Sequence, residues 1–191
     1  MTIFLILAPY AAFSLLMLVT SAVASLFAAA AICIAVVAFD VVRGRSVKIL
    51  GAGSVLVFIT VGAYVALSDS DLSISGVKFA VDTGIFLVTL TSIVIRMPFT
   101  LQYAREVVDA ETARLPGFIR ANYAITWAWT ASMLLMMLGN VAIIYVPGLP
   151  LWSSLLIAFA ARNSAVYFTK WYPEYCKAKV GALSANALPE V

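Results

Sequence analysis

Residues 1 to 39 carry no charged side chain, and from Asp40 onward the chain alternates apolar runs of about 20 residues with short clusters of Arg, Lys, Asp and Pro. At 1.5 Å rise per residue, one helix over the opening stretch would be about 58 Å long, nearly twice the roughly 30 Å thickness of a bilayer's hydrocarbon core. Two helices fit better, with the polar pair Thr20-Ser21 as the turn between them. The pattern then predicts spans over 3–19, 22–42, 49–67, 77–96, 119–145 and 149–169. This is an all-α, polytopic transmembrane bundle over residues 1–170, with six spans, or five if the first 39 residues form one kinked segment. The opening MTIFLILAPYAAFSLL has no basic region ahead of its apolar run, so it is expected to stay as a span and not to be a cleaved leader. Residues 171–191 are expected to form a cytoplasmic tail, disordered at its end.

Within the second span, Ser21, Ala24, Ala28, Ala31, Ala35 and Ala38 recur at alternating spacings of three and four. Small residues in one narrow stripe let two helix backbones approach closely in lipid, where leaving the solvent gains apolar groups little. The stripe places this helix at the centre of the bundle or in a homodimer seam, unless the spacing is an accident of an Ala-rich span. Between the fourth and fifth spans, Leu101, Ala104 and Val108 follow i, i+3, i+7 spacing and Arg105 precedes Asp109 by four residues. That spacing predicts an amphipathic surface helix near 99–116, closed by Pro116-Gly117, against the plainer reading of a solvated connector.

Composition strengthens the membrane reading. The chain is 64% hydrophobic and 11% charged, where soluble domains carry roughly 25% charged residues. In the six-span arrangement Arg43, Arg45, Lys48, Arg96, Arg105, Arg114, Arg120, Arg162, Lys170, Lys177 and Lys179 share one side. Lys78 stands on the other, with Asp69 and Asp71. That segregation assigns the cation-rich face and the C-terminus to the cytoplasm. A net charge of +3, so dispersed, argues against a nucleic-acid partner. Trp127, Trp129, Trp152, Trp171, Tyr123, Tyr145 and Tyr172 fall mostly near span ends, as an interfacial aromatic belt would.

Candidate chemistry is sparse. The absence of His removes the usual proton shuttle and imidazole metal ligands, and Cys33 and Cys176 sit too differently to be expected as a pair. No Walker loop, GxGxxG or CxxC motif occurs, so no catalytic residue, metal or cofactor is expected. Charged groups inside spans are functional candidates because burying them in hydrocarbon is costly. Asp82 in the fourth span and Arg162-Asn163 in the sixth form an intramembrane ion pair or polar path, or else each reaches its own interface. Asn122 and Asn140 in the fifth span suit interhelical hydrogen bonds. Arg105, Glu106, Asp109 and Arg120 are the connector's candidates for contacting a partner or a lipid headgroup.

The order of these features resembles the intracellular septation protein A family of small bacterial inner-membrane proteins. The resemblance runs through Pro9 in FLILAPYAAF, VVRGRSVK with Arg43, Arg45 and Lys48, and Lys78 opening the fourth span. It continues with Arg96 and Pro98, Arg105-Glu106, and LPGFIRANYAITWAW with Pro116, Arg120, Asn122 and Trp127, then Gly139-Asn140 before Tyr145. It implies a non-catalytic role in cell-envelope maintenance and septation, in contact with elongation or division proteins. Two other classes stay open on the residues alone: a small solute transporter or channel using Asp82 and Arg162, and a lipid-acting membrane enzyme.

Overall fold

The computed structural model describes residues 2–68 and 72–186 and is all-helical over them, with no strand among the described residues. Its long helices are α1 (Thr2–Leu16), α2 (Ala22–Val42), α3 (Ile49–Leu67), α4 (Ile74–Val94), α6 (Pro116–Tyr145) and α7 (Leu151–Asn186), with the short α5 (Phe99–Ala104) between α4 and α6. Helices α2, α3, α4 and α6 are long and apolar enough to cross a membrane. The opening 39 residues do form two helices. The break falls at 17–21, where Ser21 caps α2 by accepting a hydrogen bond from the Ala24 amide at 3.3 Å. α7 runs through position 170, where a tail was expected to begin, and reaches Asn186; residues 187–191, and the acidic pair Asp69 and Asp71, lie outside the described residues.

Around an apolar core that includes Leu26, Phe58 and Ile85, the bundle also has an apolar exterior and takes small hydroxyl residues inward. Leu18, Leu56, Val94 and Phe159 are widely exposed, while Ser25, Ser54, Thr89, Ser92, Thr126 and Thr130 are buried. Several of these hydroxyls are satisfied locally: Ser54, Thr126 and Thr130 donate to the carbonyls of Leu50, Asn122 and Thr126 four residues back. Small polar residues therefore line the helix contacts, as lipid-embedded packing favours.

Consecutive helices pack as neighbours, α1 on α2, α2 on α3, α3 on α4, α4 on α6 and α6 on α7. α1 turns Tyr10 and Phe13 into the centre of the bundle, and Met17, one residue past its end, is buried at the same i, i+3, i+7 spacing. The Tyr10 hydroxyl is hydrogen-bonded to Ser54 of α3, and the Phe13 ring lies 5.5 Å from that of Phe58. α3 and α4 meet through reciprocal sockets: Val88 fills the space at Gly53, and Val57 fills the space at Gly84.

The alanine stripe of α2 does not make the intramolecular contact expected of it. Ala24, Ala31, Ala35 and Ala38 are exposed and Ala28 is half-buried, whereas Ser25, Leu26, Ala29, Ala30 and Cys33 face inward. The buried face is rotated by about one residue because Ser25 and Cys33 carry polar atoms that lose nothing by leaving lipid, while alanine gains little by doing so. Ala30→Leu should therefore lower stability in detergent by about 1–3 kcal/mol through overpacking, and Ala31→Leu should be close to neutral. Thermal unfolding of the two variants side by side checks this.

The connector also departs from expectation. Its helix stops at Ala104, and a single 3₁₀ turn (Thr112–Arg114) precedes Pro116. Asp109 does not pair with Arg105. Its carboxylate accepts from the Glu111 and Thr112 amides at 3.0 and 2.8 Å and from the Thr112 hydroxyl at 2.8 Å. These bonds, with the Thr112 amide first, hold the Asp109 carboxyl below the usual carboxylate range. Asp competes well for nearby backbone amides, and that turn ends the amphipathic run.

Candidate functional site

Three helices bring polar side chains to one place at the end of the bundle opposite the connector. α4 begins at the Ser73 cap, whose hydroxyl accepts from the Gly76 amide at 3.1 Å, and this sets Lys78 and Asp82 one turn apart on the same face. Met136 and Asn140 are likewise one turn apart on α6, and Ser154, Ala158 and Arg162 follow at i, i+4, i+8 on α7. Gly139 lets α7 come close, since a Cβ there would stand 3.2 Å from Ile157. Tyr10, Phe13 and Ser14 of α1 close the remaining side.

The partly open cavity between them has a volume of about 50 Å³, room for about three water-sized occupants. The Asn140 side-chain amide donates to the Asp82 carboxylate at 2.7 Å, and to the Met136 carbonyl at 3.2 Å. Arg162 lines the same cavity without closing to an ion pair. Its Nη2 donates a long contact to the Met136 sulfur at 4.0 Å, and its buried Nε has no hydrogen-bond partner among the described residues. With Asp82 ionised, the centre holds two cations, Lys78 and Arg162, against one carboxylate. Such an arrangement attracts a small negatively charged species into a site of low dielectric.

Of the residues singled out from sequence, Asp82, Asn140 and Arg162 are thus brought together. Asn163 is not: it is exposed and donates to the Phe159 carbonyl of its own helix. Asn122 is buried and bonds within its helix to the Phe118 carbonyl, while its own carbonyl accepts from Thr100 of α5 at 2.8 Å. Arg105 and Arg120 are exposed. Glu106 instead enters a second cluster that the sequence reading missed.

That cluster begins where α2 ends. Gly44 at φ 73° lets the Gly44 amide reach the Val41 carbonyl and the Arg45 amide reach the Asp40 carbonyl, a turn that folds the chain back over its own helix end. Lys48 is only 3% exposed, and its ammonium lies 2.7 Å from Asp40 and 3.0 Å from Glu106. Arg45 adds weaker contacts to the same carboxylates at 3.4 and 3.8 Å. The Tyr103 ring lies 5.1 Å from the Lys48 ammonium, and burial raises the Tyr103 phenol above its usual range. Gln102 accepts from the Ile49 amide at 2.9 Å. Two cations balance two carboxylates here, so the cluster fastens the connector to α2 and α3 and leaves no charge free for chemistry. Asp40 is the first charge after 39 uncharged residues, and that was the signal available in the sequence.

The fold and the buried polar centre define a class, the multi-pass helical membrane protein. No family model matches the chain, and neither a curated protein nor a solved structure shows significant similarity to it.

Proposed function

We propose that this chain is a non-catalytic protein of the bacterial inner membrane, with six spans and both termini in the cytoplasm, that binds and passes a small anion at the Lys78–Asp82–Asn140–Arg162 centre. The observation that carries the reading is the convergence of Lys78 and the hydrogen-bonded Asp82 carboxylate of α4 with Arg162 of α7 on one small cavity between apolar helices. Groups of this kind are costly to bury in lipid and mark ion and solute pathways. Asn140 holds Asp82 in place, and Arg162 keeps a donor directed into the cavity for the passing ion.

Reconstituted in liposomes, the wild-type protein should dissipate a chloride gradient. Arg162→Gln should slow that flux by at least about tenfold, since a charge-assisted hydrogen bond is worth about 1.5–3 kcal/mol. A fluorescent chloride indicator gives the rate, and gel filtration shows that the variant is folded. Wild-type flux no faster than in empty liposomes would sink the transport reading.

The envelope and septation role implied by the family resemblance is a second proposal, supported by the ordered cytoplasmic surface that the Lys48 cluster gives the connector. On that reading, Arg105→Ala with Arg120→Ala should fail to rescue a deletion strain under osmotic or division stress at normal membrane abundance. Full rescue would point away from the connector.

A further inference from the structure

A cavity of about 310 Å³ lies at the other end of the bundle from the polar centre. Its walls come from α1, α5, α6, α7 and the first turn of α3, with Phe99, Phe118, Ile125 and Met133 among the apolar residues facing it. A half-open apolar space of this size is ligand-sized, and left empty it would forfeit much dispersion energy.

The polar groups in the wall are largely consumed by the protein itself. The Trp129 indole N–H donates to the Thr169 hydroxyl at 2.9 Å, and the Thr100 hydroxyl donates to the Asn122 carbonyl at 2.8 Å. The Tyr10 hydroxyl is engaged with Ser54, and the Asn122 amide with Phe118. Apart from the Tyr103 hydroxyl, what remains on offer is hydrocarbon and aromatic surface. An occupant must therefore be apolar along its length. In a bilayer the abundant species of that kind is the lipid acyl chain.

Charge next to the lining residues in the chain narrows the choice. Ala104, Ala121 and Thr169 line the cavity, and the next or preceding residues in the chain are Arg105, Arg120 and Lys170. All three cations are exposed, and none takes part in an ion pair among the described residues. They contrast with Arg45 and Lys48 nearby, which are neutralised. Three unpaired cations from α7, α6 and the end of α5 suit a phosphate-bearing headgroup of net negative charge.

We propose that this chamber takes one acyl chain of an anionic phospholipid from the leaflet on the cation-rich face, with the headgroup held by Arg105, Arg120 and Lys170. The bound lipid fills the gap between the latched connector and the α6–α7 pair. This inference rests on the membrane class and is independent of the anion centre.

The test uses the full chain in nanodiscs containing a trace of phosphatidylglycerol with a photoreactive group on its acyl chain, and in parallel phosphatidylcholine with the same chain. Peptide mapping after irradiation should place the adducts on Phe118, Ile125 or Met133 in the phosphatidylglycerol sample. Filling the chamber with Ala121→Trp should abolish those adducts, while Ala31→Trp on the exposed face of α2 should leave them intact. Neutralising Arg105, Arg120 and Lys170 to Gln should cut labelling by about fivefold per cation, the equivalent of about 1 kcal/mol each. Unlabelled phosphatidylglycerol should compete in the wild type and free oleate should not, an arm that stands even if Ala121→Trp fails to fold. Adducts spread over lipid-facing positions, equal labelling by phosphatidylcholine, or competition by oleate would each overturn the proposal.

Discussion

Lys48→Met should destabilise the folded protein by about 3 kcal/mol and release the connector from the bundle. The ammonium is almost fully buried, and it is the closest cation to both Asp40 and Glu106. Removing one partner of a buried pair costs about 3–5 kcal/mol because the other partner is left uncompensated. The lower end applies here, since the Asp40 and Glu106 side chains remain 17% and 19% exposed and recover some hydration. Arg45 does not take over, being 39% exposed and 3.4 to 3.8 Å away. Glu106→Gln alone should cost less, because Asp40 still answers Lys48. Combining it with Lys48→Met should be clearly less than additive. Unfolding in detergent gives the stabilities, and limited proteolysis within 105–115 reports the released connector. A cost below about 1 kcal/mol for Lys48→Met would mean that the cluster is no more than a surface ion pair.

A side chain at either glycine socket between α3 and α4 should have the other large effect. A Cβ built on Gly53 would stand 2.5 Å from Val88 Cγ1, and one on Gly84 would stand 2.6 Å from Val57 Cγ1. Both distances lie far inside van der Waals contact, and the obstructing atoms belong to β-branched side chains on helices, which have little rotamer freedom. Gly84→Ala should therefore cost about 1–3 kcal/mol, and Gly84→Leu should leave no monodisperse protein in detergent. Trimming the facing residue should restore the fit, so Gly84→Ala with Val57→Ala should recover much of the loss. Gly117→Ala is the matched control, because nothing lies within 4 Å of its Cβ position. Fluorescence-detected gel filtration and melting temperature read all four variants. Equal behaviour of Gly84→Ala and Gly117→Ala would remove the socket.

The sequence by itself determined the membrane class and most of the helix bounds. Spans expected over 22–42 and 49–67 are the helices found there, because charge, Gly and capping Ser at their ends act locally and apolar runs of bilayer length have few other solutions. It also marked Asp82, Asn140 and Arg162, since a polar group within an apolar run stands out without knowledge of its neighbours. Which face of each helix turns inward was decided by the tertiary structure alone. In lipid both faces of α2 are apolar, so hydrophobic periodicity carries no signal. The choice of Ala29 and Ala30 over Ala31 and Ala35 depended on where Ser25, Cys33 and the central α1 could be accommodated. The connector depended on tertiary structure for a related reason. Arg105 and Asp109 have ideal helical spacing, yet Glu106 gains more from Lys48, which is distant in sequence, and Asp109 gains more from the amides just after it. The helix therefore ends at Ala104, and the chamber beside it opens where no pattern in the chain announced one.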